Sequence, residues 1–481
     1  EAKNRTGSSY YLSPGELEKF SYSDINRVLK SVPGVNIYEE DGFGLRPNIS
    51  LRGTSPERSA KISVMEDGVL IAPAPYSAPA AYYFPSVARM QAVEILKGSS
   101  QIQYGPFTTG GALNLVSTQI PDSFRGSINT SYGSFNTSQT HLKIGDSKTY
   151  LGYSVEYLNN NSNGFKNLPN GDNTGFDKND VVAKFKLQNK QDAKFNQSLE
   201  FKFQYSDETS NETYLGLTTD DFETSPFDRY AASQKDKMTN EHLQFMVTHK
   251  IDVSNFLQIT SNAYHNDFSR NWYKLNDVVF GGDKVKISKI VEAPQNYPNY
   301  MDMINGTSNS DANAFILKAN NRTYLSKGVQ TKLDFHWNSS EVFHDLEIGL
   351  RYHYDDEDRF QWKDGYSITD GQMNLTSAGA PGSDANRISK ATAFAGSVLY
   401  KFKYNNITIT PGIRYEDIVL ERTDFGSDDL NRTGANLSSR ENTVSIFIPG
   451  IGFNYKFNNS TSVFGGVHKG FSPPGNTVGQ E

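Results

Sequence analysis

From about residue 123 onward the chain reads as long strands of period 2 whose connections alternate between short and long, and few folds tolerate that parity. Short connections fall near 145–148, 190–194, 252–255, 339–344, 404–405 and 458–459, and long ones near 160–178, 207–237, 270–312, 363–388 and 423–440. Only the first connection, 133–136, departs from the pattern by being short. In an antiparallel barrel that crosses a bilayer, every second turn stays on one rim while the long loops gather on the other. A soluble sandwich also alternates apolar and polar residues but has no reason for such parity. The spacing predicts about 13 strands, each with the roughly ten residues that a tilted membrane strand needs.

The strands carry the matching pattern. Ile407, Ile409, Ile413 and Tyr415 alternate with Thr408, Thr410, Gly412 and Arg414. Ile348, Leu350, Tyr352 and Tyr354 stand opposite Gly349, Arg351 and His353. Aromatics gather at strand ends, as in Tyr400, Phe402 and Tyr404 or Phe453, Tyr455 and Phe457, where a barrel meets the lipid–water interface. Mean hydropathy is −0.59, and no stretch approaches the roughly 18 apolar residues of a membrane helix. A helical membrane protein is therefore excluded, but a barrel is not, since its strands average out polar.

A formal net charge of −7 argues against nucleic acid as a partner, because phosphate binding needs a basic face. With no cysteine, disulfide scaffolds and thiolate metal sites are out. Residues 1–5 carry no signal peptide, which is uninformative for a matured envelope protein. An odd strand count cannot close an antiparallel barrel, and open edges in lipid are untenable. The expectation is that the barrel portion, 123–481, is incomplete and that more strands of the same polypeptide follow.

Residues 1–122 have a different grammar and read as a compact α/β unit. Ser23 or Asp24 can cap a helix carrying Ile25, Val28 and Leu29, which Pro33-Gly34 stops. Short strands are predicted at 49–52, 60–65, 92–97 and 111–117, between turns rich in Gly and Pro.

In this region Val32-Pro33-Gly34-Val35, Leu45-Arg46-Pro47-Asn48-Ile49-Ser50-Leu51-Arg52-Gly53 and Met65-Glu66-Asp67-Gly68-Val69 follow in order. Ala72-Pro73-Ala74-Pro75-Tyr76, Val93-Glu94-Ile95-Leu96-Lys97-Gly98, Tyr104-Gly105-Pro106 and Gly110-Gly111-Ala112-Leu113-Asn114 come next. The series resembles the plug of TonB-dependent outer-membrane receptors, and within them the ferric dicitrate receptor branch. Asn321-Arg322-Thr323-Tyr324, Gly349-Leu350-Arg351-Tyr352 and Gly470-Phe471-Ser472-Pro473-Pro474 resemble barrel signatures of the same group. The resemblance implies an all-β transmembrane barrel of 22 strands filled by the plug, in the bacterial outer membrane. It implies import of a ferric chelate, ferric citrate first, driven by TonB with ExbB and ExbD. No TonB box stands before Tyr10.

Two sets of residues are candidates for the ligand. Pro75, Tyr76, Tyr82 and Tyr83 lie on the Pro-rich loop 73–83, where stiff backbone presents flat hydroxylated rings; the bland alternative is turn structure packed on the barrel wall. Arg322, Arg351, Arg359 and Arg414, with Arg270 near a loop base, are predicted to face the lumen, and a guanidinium grips carboxylates in bidentate fashion. The competing reading for any single arginine is an ion pair with a carboxylate such as Glu347 or Glu416. Arg52, Glu94 and Lys97 are assigned to ion pairing between plug and barrel. His353 with Asp355, Asp356, Glu357 and Asp358 could attract a hard cation, but a solvated rim is the preferred reading, and no metal or resident cofactor is expected beyond the iron of the transported chelate. No catalytic triad, phosphate loop or paired-carboxylate signature stands out, so no enzyme is expected. The lipid bilayer and lipopolysaccharide are the expected surroundings. The alternatives are a haem or cobalamin receptor and, from another class, a surface adhesin or complex subunit reusing the plugged barrel.

Overall fold

The computed structural model describes residues 6–474, apart from 191 and 459. The readings made on residues 1–5 and 475–481, and part of those on 190–194 and 458–459, lie outside the described residues.

The N-terminal unit is built on strands β1 (Ser9–Leu12), β2 (Val35–Tyr38), β3 (Asn48–Leu51), β4 (Ser63–Glu66), β5 (Val69–Leu70), β6 (Met90–Leu96) and β7 (Ala112–Ser117). Five of them form one mixed sheet in the order β1-β6-β7-β4-β5, with β4 and β7 parallel, and β2 pairs with β3. Helix α1 (Pro14–Phe20) opens with a capping box between Ser13 and Glu16, a signature present in the sequence but not read from it. Helix α2 (Ile25–Leu29) is capped by the Asp24 carboxylate, which accepts from Asn26 N at 2.7 Å. Ile25, Val28 and Leu29 bury their helical face against Val64, Val93, Ile95, Leu113 and Leu115 of the sheet.

The rest of the described chain is one 15-stranded sheet. Its strands are β8 (Arg125–Tyr132), β9 (Ser138–Ser147), β10 (Leu151–Ser162), β11 (Phe176–Gln188), β12 (Asn196–Ser210), β13 (Lys237–Ser254) and β14 (Leu257–Phe280). Then come β15 (Asp283–Lys286), β16 (Phe315–Ser339), β17 (Val342–Thr369), β18 (Gln372–Ser377), β19 (Ala385–Tyr404), β20 (Ile407–Asp424), β21 (Ser438–Lys456) and β22 (Ser462–His468). β15 and β18 are side hairpins on β14 and β17; the other strands pair antiparallel with their neighbours in one continuous path whose edges are β8 and β22. The expected count of about 13 strands and the parity of the connections both hold. Apart from 133–137, which stands on the long-loop rim beside Asn163, short turns lie on one rim, while 163–175, 211–236, 281–314, 370–384 and 425–437 lie on the other.

Side-chain exposure separates the two faces. Leu350 and Tyr352 are 47% and 53% exposed, while Arg351 between them reaches the plug and His353 is buried. Val329, Phe394, Phe447, Ile451 and Val467 continue the outward apolar surface, the band a barrel presents to lipid. No helix among the described residues is long and apolar enough to cross a membrane. The strands overrun the band: β17 has 28 residues, well beyond the roughly ten that a bilayer requires.

At the long-loop rim these overhanging strand ends carry a second core. Ala231, Leu275, Val278, Ile290, Ile304, Phe315, Leu317, Ile368 and Met373 pack together, drawing loops 211–236 and 281–314 and the β17–β18 hairpin into one cap. Helix α3 (Thr219–Thr224) lies in the first of these loops, and α4 (Ile287–Glu292) and α5 (Pro298–Asn305) in the second.

Candidate functional site

Pairing register brings together what sequence spacing keeps apart. Arg270 on β14 stands opposite Arg322 on β16, Arg322 opposite Arg359 on β17, and Arg359 opposite Arg387 on β19. Directly opposed residues share a face. For this row it is the inner one: Arg270 alternates in step with buried Tyr264, Phe268 and Trp272, while the intervening His265 and Asp267 are exposed. The row stands seven residues past outward-facing Tyr352 along β17, roughly 15–20 Å nearer the long-loop rim at about 3.3 Å per residue on a tilted strand.

Like charges directly opposed across strands are destabilising, so four guanidiniums in line need compensation. Within the row it comes from Glu357, which accepts from Arg322 Nη1 and Arg359 Nε, each at 2.6 Å. Asp424, opposite Arg387 in the register, accepts instead from Arg422 at 3.1 Å. Arg270 donates only to neutral oxygens, the Tyr324 hydroxyl at 3.2 Å and the Asn320 carbonyl at 3.3 Å. Arg270 Nη2 and Arg322 Nε are buried without a partner. The row therefore carries an excess of positive charge and spare donors pointing inward.

The plug supplies the floor. The Arg270 guanidinium lies 3.7 Å from the centroid of the Tyr82 ring, and Arg58 stands 4.8 Å from Trp272 and 5.7 Å from Tyr82. Tyr214, from loop 211–236, meets Trp272 edge-on at 5.0 Å, and Lys274 Nζ lies over Tyr214 at 3.5 Å. Burial alone would raise the pKa of the Tyr82 hydroxyl, yet Arg270, Arg322 and Arg58 bring it below its ordinary value. The hydroxyl thus senses the same positive field that an anionic guest would meet.

The residues singled out in the sequence fall into separate groups. Tyr82, Arg322 and Arg359 belong to this vestibule, joined by Arg270. Pro75, Tyr76 and Tyr83 are buried. Tyr76 is an anchor: its backbone N–H and that of Ser77 donate to Asp355 at 2.8 and 3.0 Å, and its hydroxyl donates to Glu416 at 2.9 Å. Arg351 donates to the Tyr76 hydroxyl at 2.6 Å and to the Gly105 carbonyl at 3.2 Å. Arg414 reaches the Gln103 carbonyl at 3.0 Å while paired with Glu416 at 2.6 Å. Arg351 and Arg414 therefore hold the plug to the wall, well away from the row.

Tyr83 is stacked on His242 at 3.7 Å and accepts from Arg89 at 3.3 Å. Arg52 is exposed, Glu94 accepts from Asn114 at 2.9 Å within the plug sheet, and Lys97 donates to the Pro33 carbonyl. The acidic run beyond His353 alternates faces, Asp355 and Glu357 inward and Asp356 and Asp358 outward, so its carboxylates do not converge.

Other residues carry the strongest clasps between plug and barrel. Arg46 pairs with Glu208 at 2.5 Å and with Glu212. Lys202 of β12 pairs with Glu66 at 2.5 Å and Asp67 at 2.8 Å, and Arg89 adds a bond to Glu66 at 2.7 Å. Burial would raise the Glu66 pKa, but Arg89 and Lys202 outweigh it and hold the carboxyl at about 2. Lysines recurring at inward positions of β11 and β12 were the sequence signal for this clasp. Arg387 was hidden because the sequence reading places it inside a long loop.

Two family descriptions match the chain: TonB-dependent Receptor Plug Domain over residues 1–112 and TonB dependent receptor-like, beta-barrel over residues 204–480. Among solved structures, the ferric citrate transporter FecA in its unliganded form superposes with a TM-score of 0.72 at 17% identity, over 97% of this chain and 63% of that one. The siderophore receptor PiuA from Acinetobacter baumannii gives 0.68 at 14%, over 96% and 64%. The ferric yersiniabactin uptake receptor FyuA from Yersinia pestis gives 0.67 at 14%, over 95% and 63%. The chain thus spans a little under two thirds of the length of these receptors.

Proposed function

Since the chain belongs to the TonB-dependent receptors, β-barrel proteins of the bacterial outer membrane, we propose that it imports an anionic ferric chelate, with ferric citrate as the leading substrate. The observation that carries this reading is the arginine row. Four aligned guanidiniums offset within the row by a single glutamate suit a guest that brings several carboxylates at once, because each planar fork can bind one in bidentate fashion. Of the row, Arg270 lies against the Tyr82 ring, a contact worth about 2 kcal/mol where water is excluded, while Trp272 holds Arg58 of the plug beside it.

In the proposed cycle the chelate enters at the long-loop rim and takes the spare donors of the row. Contact with Tyr82 links the guest to loop 73–83, whose other end is anchored through Tyr76. TonB, energised by ExbB and ExbD, then draws on the plug. The Arg46, Tyr76 and Lys202 clasps are the bonds that this pull must loosen, and water entering the gap would re-solvate their charges. The family is one of receptors and transporters, not enzymes, and the iron is cargo.

The test is a tryptophan-fluorescence titration of the full-length receptor with ferric citrate, with gallium citrate controlling for quenching by iron. Trp272 lies on the floor of the vestibule and serves as the reporter. Saturable binding at micromolar affinity, about −8 kcal/mol, is expected, with the response lost in Trp272→Phe. No response to citrate, alongside binding of another ferric siderophore, would discard the substrate and retain the importer.

A further inference from the structure

Below the arginine row the inner wall changes chemistry. Gln204 on β12 stands opposite Gln244 on β13, Gln244 opposite Asn266 on β14, Asn266 opposite Ser326 on β16, and Ser326 opposite Asp355 on β17. The four uncharged residues form one level belt, four residues along the strands from Arg270 and Arg322, or roughly 13 Å. All four are buried, yet Gln204 Oε1, Gln244 Oε1, Asn266 Nδ2 and Ser326 Oγ have no hydrogen-bond partner among the described residues. Buried polar atoms are normally paired, so four orphans on one row have a partner to gain. The plug covers the belt with Tyr83, whose hydroxyl accepts from Gln204 Nε2 and whose ring is stacked on His242 at 3.7 Å. That hydroxyl takes a hydrogen bond that an oxygen of a guest can take in its place.

The same row turns dry beyond Asp355. Asp355 stands opposite Ala391 on β19, and Ala391 opposite Leu420 on β20. Both pack with Ile418 and Ile448 against Met65, Leu70 and Leu96 of the plug in one apolar cluster. Parting the plug from that sector exposes apolar surface to water. Parting it from the belt exposes amides and a hydroxyl, which water or a guest satisfies. Asp355, held by the Tyr76 and Ser77 N–H groups, marks the boundary, and its charge turns an anion back toward the belt. The belt offers donors and acceptors without charge: Asn266 Nδ2 for a carboxylate, the two glutamine carbonyls for a hydroxyl. It suits a hydroxycarboxylate chelate that must be held and then released, because an amide grips a carboxylate less tightly than a guanidinium fork does.

Resting on the proposed import, we infer that Gln204, Gln244, Asn266 and Ser326 form a second binding site. It takes hydroxyl and carboxylate oxygens of the chelate as loop 73–83 moves off, and passes the guest down the β12–β16 wall. Two measurements on the full-length receptor test this. Gln244 Nε2 donates to Asn266 Oδ1 at 2.8 Å, so replacing both by apolar groups of like shape, Gln244→Met with Asn266→Leu, strands neither partner. Uptake of radiolabelled ferric citrate by cells should fall at least fivefold in this variant, with the affinity in the fluorescence titration within twofold of wild type. Unchanged uptake would overturn the site, and so would a matching loss of affinity, which would put these residues in the vestibule. The second measurement needs no chelate. No cysteine occurs among the 481 residues, so a single thiol is placed at Ser206, the inward residue next to Gln204 on the side of the arginine row, or at Ala391. Each is 1% exposed. In the purified receptor at sub-denaturing urea, a maleimide should label Ser206→Cys at least tenfold faster than Ala391→Cys. Equal rates, or faster labelling of Ala391→Cys, would overturn the path along β12–β16. A wild type that neither binds nor imports ferric citrate would discard that substrate and leave the labelling to decide the path.

Discussion

A single arginine in this barrel has a role set by the row on which it falls. Arg322 and Arg387 lie in the excess-charge row, whereas Arg351 is engaged by Tyr76 and Gly105 of the plug. A hydrogen bond to a charged group is worth about 1.5–3 kcal/mol. Arg322→Ala and Arg387→Ala should therefore each weaken ferric citrate about 10- to 100-fold in the fluorescence titration, while Arg351→Ala should leave that affinity within a few-fold and loosen the plug. Lys202 offers the complementary test. Removing one member of a buried ionic cluster costs about 3–5 kcal/mol, because the remaining charges stay buried. Lys202→Met should accordingly speed amide exchange in β4, which carries Glu66. Because the folded pKa of Glu66 is depressed to about 2 from 4.5, its contribution is complete above pH 4.5 and is lost as pH falls toward 2. Wild-type exchange in β4, corrected for the intrinsic rate, should be flat from pH 7 to 5 and rise only in stronger acid. These roles were half legible in sequence. Alternation tells that Arg322, Arg351, Arg359 and Arg414 face inward, but not which of them meet the plug.

At the scale of elements, the sequence reading recovers what the membrane imposes and misses what stands above it. Strand parity and outward apolar residues are written into every strand because lipid demands them. Register is not, and the alignment of Arg270, Arg322, Arg359 and Arg387 exists only once four strands are paired. Cutting each strand at the length a bilayer requires also assigned the overhanging ends to loops, which is why residues near Arg387 and the rim core escaped notice. That rim core makes the loops one packed unit, and the end of α5 is one of its close joints. Gly306 ends the helix at φ 77°, and a Cβ there would stand 2.9 Å from Ala231 Cβ and 3.0 Å from Gly371 Cα. A left-handed conformation alone costs a non-glycine residue about 1–2 kcal/mol. Gly306→Ala should therefore raise hydrogen exchange together in loops 211–236 and 281–314, with β8–β10 unchanged. Exchange rising in only one of the two loops would mean that they are not one cooperative unit.

For the whole molecule the charge balance sets two fields against each other. The chain carries a formal net charge of −7, which would repel the proposed anionic chelate at long range, while the arginine row would attract it at short range. Salt separates them by distance, since the screening length is about 8 Å at 0.15 M and about 30 Å at 0.01 M. At physiological ionic strength the remote carboxylates are screened, and on the proposed function an approaching chelate would be governed by the guanidiniums it is about to touch. Association measured by stopped-flow fluorescence should therefore slow as salt rises from 0.15 to 1 M, where the screening length falls to about 3 Å. Arg322→Ala combined with Arg387→Ala should flatten that dependence by removing two of the four aligned charges. Between 0.01 and 0.15 M the trend should be weaker or reversed, because added salt there suppresses the repulsion first. A rate that climbs with salt across the whole range would mean that net charge governs capture, and the row could then be only a structural feature of the wall.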